Sequence, residues 1–376
     1  MQTTFEYFKF DEARQRYGDR VERYRQFLHQ ADPLADDAVA ALAQLPAGQG
    51  TTLVQQALND GIETVPQAPE ALKDLFAQVE HLPWWVDWQR IDRGGQALRQ
   101  RAIPMLLTLV SYALPIMYSS PAGTKPLAAT KYLVERAARR LAETSAFVRL
   151  NSEPGGLQRF GEGFKTSLKV RLMHAQVRRL LLNSGRWQTE AWGLPINQAH
   201  MAGTALAISA VIVLKLQDLG FEFSPTEVDD ILHLWRYSNY LSGVCDDLVC
   251  NNLSDARRFM ELIVAIEGPP DEDCKALIQS LRGISLPLNG LEKQSWFNDM
   301  VGSSARVLLG SSLADALEVP KNNWRFVIPF LLDGLSEVYR LQLSLPGGNI
   351  IAEHLGVQVW EGAEGLLFSA ARPHKS

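Results

Sequence analysis

The chain has 376 residues, 46% of them hydrophobic, which is enough apolar material for one large buried core. Its 37 basic and 42 acidic side chains are interspersed and sum to -5, so no broad basic field is available to attract phosphates, and nucleic acid is excluded as a partner. Cys245, Cys250 and Cys274 are too few, and odd in number, for a disulfide framework; reduced thiols are expected.

The opening MQTTFEYFKFDEARQRYGDR lacks the basic, apolar and small-residue order of a secretory signal and carries acids that a mitochondrial presequence avoids, so a cytoplasmic location is expected. Apolar residues then recur at three- and four-residue spacing with no convincing two-residue alternation, which predicts an all-α fold built as a single large multi-helix domain.

In chain order, the spacing predicts a charged helix from Asp11 to about Gln30 and shorter helices over Asp32 to Leu45, Thr51 to Asp60 and Pro69 to His81. Trp84-Trp85-Val86-Asp87-Trp88 follows, and a long apolar helix is expected after Gly94-Gly95, running to Tyr118. Ser119 to Gly123 reads as a loop. Helices are then expected over Lys125 to Arg149, Phe164 to Asn183, Asn197 to Leu219, Ser224 to Ser242 and Leu253 to Glu267. Gly268 to Asp273 is the best boundary, followed by more helices and a Gly-rich tail. Two apolar stretches, Ile103 to Tyr118 and Met201 to Leu216, fall short of the ~20 residues that a bilayer requires. They read as core helices, with no transmembrane segment.

The segment FKTSLKVRLMHAQVRRLLLN places Val170, Met173, Val177 and Leu181 on an expected apolar stripe, with His174 on it. A lone histidine there can be a satisfied core residue or a ligand. Arg171 and Arg178, at minus three and plus four, flank the imidazole on one side of the helix. A haem suits this pattern, because a neutral imidazole binds iron while guanidiniums meet propionates; solvated arginines are the alternative. On the preceding helix Arg136, Arg140, Glu143 and Thr144 share one face, as a functional row would and as an ordinary row of i,i+4 pairs also would.

Several separate motifs carry a resemblance. Thr130-Lys131-Tyr132-Leu133 through Arg140, Glu143 and Thr144, then Pro154-Gly155-Gly156-Leu157 and the Lys169 to Arg178 segment, look like the core of the rubber oxygenase and MpaB-type oxygenase superfamily. Gly193 to Thr204 and Trp235-Arg236-Tyr237 continue the likeness, which covers roughly Leu82 to Leu248. The resemblance implies a haem b with His174 as the axial iron ligand, Arg171 and Arg178 beside the cofactor, and Arg140 and Thr144 on the distal side. It also implies a haem-dependent oxygenase acting with dioxygen on an apolar, unsaturated, lipid- or isoprenoid-like small molecule; the sequence leaves a homo-oligomer open. On that reading residues 1–81 are an N-terminal helical region, 82–268 the oxygenase-like core and 269–376 a C-terminal region packing on it. Glu143 departs from the latex-clearing branch, which has a lysine there; a raised pKa would let this carboxyl move a proton.

The rival readings are a non-catalytic haem protein using the same pocket and a helical lipid-binding protein without haem. A di-iron bundle has only Asp230 and His233 to offer, and the three cysteines sit in no ligand loop. No G-x-G-x-x-G, phosphate loop or nucleophile elbow is present.

Overall fold

Side-chain caps set many of the helix starts. Asp32, Asp87, Asn197, Asn252 and Asp271 each accept a backbone N–H of the helix that follows, and Ser224 with Glu227 forms the reciprocal capping box implied by Ser-Pro-Thr-Glu. The computed structural model describes residues 6–129, 137–284 and 295–371, and among these the chain is helical with no strand. The expected Thr130 to Arg136 part of the Lys125 helix lies outside the described residues.

Several boundaries differ from the sequence expectation for reasons of packing. Gly94 and Gly95 do not precede a helix but lie inside Trp88–Arg99. A Cβ on Gly94 would strike the backbone carbonyl of Asp230, and one on Gly95 the carbonyl of Ser152, so both glycines are close-approach points. The apolar run to Tyr118 is also broken, into Ala102–Thr108, a π turn over Leu109–Ala113 and Leu114–Tyr118. Pro121 opens a helix to Ala129, leaving little of the expected Ser119 to Gly123 loop. The Gly-rich tail is no loop: Gly348–Ala370 is a 23-residue helix. Its Gly356 packs on the backbone of Arg99, and its buried Trp360 donates Nε1–H to Ser145 Oγ at 2.8 Å.

One apolar cluster runs from Ala35 through Leu75, Leu109, Leu172, Ile212 and Trp235 to Leu332 and Leu367. N-terminal, central and C-terminal segments therefore share a core. At its centre are Gln198–Ile208 and Ala210–Asp218, separated at Ser209, whose hydroxyl donates to the Ala205 carbonyl at 2.6 Å. Together they span 21 residues, long and apolar enough to cross a membrane, yet the apolar window is 78% buried inside the molecule. Its hydrophobicity is accounted for by the core.

The Trp88–Arg99 and Pro225–Leu241 helices form the closest crossing. Asp230, buried on the second, receives Arg90 Nε at 2.9 Å and Arg93 Nε at 2.7 Å from the first, the one a helical turn before Gly94 and the other its immediate neighbour. Gly94→Ala should therefore destabilise the fold. Overpacking costs about 1–3 kcal/mol, against a helix-propensity gain of about 1 kcal/mol. Urea denaturation measures the balance, and an unchanged midpoint would show that the crossing opens freely.

Candidate functional site

The His174 helix, Glu162–Asn183, buries a face that shares only Leu181 with the expected stripe, Val170 and Val177 being half-buried. Ser167, Leu168, Arg171, Leu172, Ala175 and Arg178 point inward, whereas Met173 is 47% exposed. The reason is electrostatic: both arginines meet carboxylates, so their side chains enter the interior as ion pairs.

Arg171 is 3% exposed and donates Nε to Asp32 Oδ2 at 2.6 Å, Nη2 to Asp32 Oδ1 at 3.0 Å and Nη1 to Gln78 Oε1 at 2.7 Å. Arg178 is 2% exposed; its Nε donates to both oxygens of Asp36 at 3.0 and 3.1 Å, and Nη1 to the Ile196 carbonyl at 2.8 Å. The expectation that both guanidiniums meet cofactor propionates is corrected here. They hold the Pro33–Leu42 helix, and only Arg178 Nη2 remains buried without a hydrogen-bond partner.

His174 lies between them. Burial first, and the charge of Arg178 second, hold its imidazolium form down to a pKa of about 4, with Asp32 opposing. The imidazole is therefore neutral at neutral pH, and its Nδ1 is buried with no hydrogen-bond partner. A buried ring nitrogen left unbonded is a costly arrangement. A neutral imidazole with a free nitrogen is also the form that binds a metal, so this residue fits an axial ligand.

The preceding helix, Ala137–Ser152, packs against the His174 helix. Arg140 and Thr144 are partly buried on its inner side, and Arg140 lies near the half-buried Tyr118, where its charge opposes the rise that burial causes in the phenol pKa. Glu143 points the other way: 54% exposed, it pairs with Arg139 Nε at 2.9 Å. The dry pocket that the expected proton-transfer role of Glu143 requires is absent around this exposed i,i+4 pair. Among the described residues no hydrogen bond or ion pair joins His174 to Arg140 or Thr144.

Two polar clusters escaped the sequence reading. His200 Nε2 lies 4.0 Å from Glu267 Oε1, while Ser120 Oγ donates to Glu267 Oε2 at 2.9 Å. Burial pushes Glu267 up to about 8 and His200 down to about 4, so both are neutral at neutral pH. Glu267 looked like an ordinary helix end, and only the tertiary approach of Ser120 and His200 distinguishes it. The second cluster lines an open cleft of about 930 Å3 between Trp84, Trp85, Trp88, His233 and Arg236. There His233 Nε2 accepts the Asp87 N–H at 3.0 Å; with Asp230 held by Arg90 and Arg93, the Asp230–His233 pair is occupied in tying helices together.

Two outcomes follow. Asp32→Ala leaves Arg171 charged, buried and unpaired and should cost about 3–5 kcal/mol in urea denaturation; a loss under about 1 kcal/mol would show that the pair behaves like a surface one. For Glu267, the folded state holds its proton between the ordinary 4.5 and about 8, so stability is lost as pH rises through that window. Glu267→Gln should gain on the wild type between those limits, and parallel pH–stability curves would contradict the buried neutral carboxyl.

Residues 105–340 match the family described as the ER-bound oxygenase mpaB/B'/rubber oxygenase catalytic domain. The rubber oxygenase of Streptomyces sp. (strain K30) is 26% identical over 302 residues, covering 77% of this chain and 71% of that one. The solved structure of a latex clearing protein in the closed state superposes with a TM-score of 0.69 at 20% identity, covering 93% of this chain and 92% of the other, which shows a shared all-helical fold. The family match runs past the Gly268 to Asp273 boundary and spans more than half of the 376 residues. With an oxygenase family in place, the readings as a non-catalytic carrier or a lipid-binding scaffold are set aside. The chain belongs to the mpaB/B' and rubber oxygenase catalytic-domain family and is an oxygenase.

Proposed function

We propose that this oxygenase works with a haem b whose iron is held by His174, and that it oxygenates an apolar, unsaturated small molecule with dioxygen. The observation that carries the proposal is the neutral imidazole of His174, with Nδ1 buried and unbonded, in the segment that resembles the family's ligand motif. When bound, the haem supplies the site for dioxygen chemistry.

The protein's own residues have distinct tasks. His174 offers a lone pair that Arg178 and burial keep free of a proton down to a pKa of about 4, so iron ligation does not compete with protonation at neutral pH. Arg178 Nη2, buried without a hydrogen-bond partner beside His174, would be the donor on this helix for an anionic group there. Arg140 and Thr144, partly buried on the neighbouring helix, are placed to donate hydrogen bonds toward developing negative charge. Glu143 is turned to solvent and takes no part.

The apolar substrate class is supported by the buried walls that accompany these helices. Met105, Leu109 and Leu114 on one side and Leu206, Val211 and Val213 on the other belong to a single hydrophobic cluster, which excludes water from its neighbourhood. The curated relative is named for acting on rubber, an apolar material, in agreement with that lining.

His174→Ala, expressed with haem precursor, should lose its Soret band and fall from roughly one haem per chain to near none while its far-ultraviolet circular dichroism stays helical. Full haem content in the variant would reject His174 as the ligand. Arg140→Leu with Thr144→Val should keep the haem but lower oxygen consumption with an alkene about 100-fold; unaltered turnover would remove these side chains from the reaction.

A further inference from the structure

The C-terminal helical hairpin, Ile328–Ser344 and Gly348–Ala370, is anchored on one side and bare on the other. The anchored side holds Leu332, Tyr339, Ala352, Gly356 and Trp360 in the core. On the bare side Phe326 is 62% exposed, Phe330 77%, Val338 59%, Leu341 64%, Ile350 69% and Ile351 56%. Phe330, Val338 and Leu341 lie at i, i+8 and i+11, a single helical stripe, and the turn at Gly347 carries the surface on to Ile350 and Ile351.

The size of this face decides what can cover it. At roughly 150–200 Å2 for a fully exposed large apolar residue, these six side chains leave about 600–750 Å2 in water. That lies at or above the top of the roughly 300–600 Å2 range for the largest patch on a typical monomer and approaches the ~800 Å2 that each partner brings to a standard protein interface.

Gly334 is a second, separate observation. It occupies the i+4 position of the same stripe, inside the helix, with nothing within 4 Å of where its Cβ would be. Neither backbone conformation nor packing within the chain calls for glycine there, and an interior glycine costs a helix about 1 kcal/mol relative to alanine. It leaves a gap between Phe330 and Val338 into which a side chain of a facing helix can enter.

The rim argues for the identity of the partner. Arg325 and Arg340 are balanced by Asp333 and Glu337, all exposed, with Arg340 and Glu337 already paired. An anionic lipid surface gains little from a balanced rim. A copy of the same surface brought up by a two-fold axis presents acid to base and base to acid. We infer that this face is an isologous interface with a second copy of this chain, the two Ile328–Ser344 helices crossing at Gly334.

Sedimentation equilibrium of the 376-residue chain as isolated, over a wide concentration range and with far-ultraviolet circular dichroism on each variant, tests this inference. The wild type should show a mass of two chains. Phe330→Ser with Leu341→Ser should weaken association at least about 100-fold. Gly334→Leu should do the same while keeping or raising thermal stability, because leucine favours the helix and only the crossing is blocked; misfolding is thereby separated from lost association. A wild type of one-chain mass at every concentration overturns the inference, and flotation of that monomer with phosphatidylcholine vesicles would assign the face to a lipid surface instead. A dimer that persists in both variants also overturns it, because its interface must then lie elsewhere.

Discussion

Two buried ion pairs, Arg171 with Asp32 and Arg178 with Asp36, fix the relation between the N-terminal helices and the site helix. A buried guanidinium is tolerable only with its carboxylate in place, because the desolvation of either charge alone amounts to several kcal/mol. The pairs therefore act as a register. Asp32 is both partner of Arg171 and cap of Pro33–Leu42, and Asp36, one turn further along that helix, meets Arg178, two turns beyond Arg171 on the site helix. His174, midway between them, inherits its orientation from this arrangement. The two acids also lie outside residues 105–340, so a segment beyond the family's catalytic domain positions the proposed ligand.

The other constraint is close backbone approach. Gly94 and Gly95 let Trp88–Arg99 lie against Asp230 and Ser152 at once, which ties the Pro225–Leu241 helix to the end of the helix carrying Arg140 and Thr144. Gly356 brings the last helix onto Arg99, and from there Trp360 and Glu364 reach Ser145 and Arg149 on that same helix. The C-terminal hairpin, whose outer face is so apolar, is thus rigidly joined to the proposed distal side. A change in the outer surface would be transmitted to Ala137–Ser152 through two side-chain contacts and no flexible linker.

Helix type and the order of the elements were legible in the sequence because both depend on local signals: apolar spacing, the caps at Asp32, Asn197 and Ser224, and the long runs near Met201. The site histidine was legible because its neighbours follow a pattern. The buried face of its helix was not, because hydrophobicity alone cannot reveal that two arginines will be neutralised by acids some 140 residues away. The same limit applies to Gly94, Gly95 and the glycines of the last helix, which read as breakers until the helices they touch are known. Glu143 illustrates it in reverse. Arg140 and Thr144 do share the inner side of their helix, but Glu143, about 100° from its neighbour Thr144, does not, and it pairs with Arg139 in solvent.

The distribution of unbonded buried atoms supports the proposed assignment of His174 on energetic grounds. Buried donors and acceptors in folded chains nearly always find partners, since each one left alone sacrifices about 1–3 kcal/mol. Among the described residues eleven buried side-chain atoms lack partners, and His174 Nδ1 and Arg178 Nη2 stand out among them because they sit one helical turn apart on the same helix. Arg178 has satisfied its other two nitrogens with great economy, using Asp36 and the Ile196 carbonyl, so its third is not idle for want of an ordered setting. An adjacent neutral Lewis base and a spare cationic donor are the complementary needs of a metal centre that carries its own carboxylates. A purely structural histidine would be expected to close a hydrogen bond with such a neighbourhood, and Arg178, a donor only, can never be the acceptor for its ring N–H.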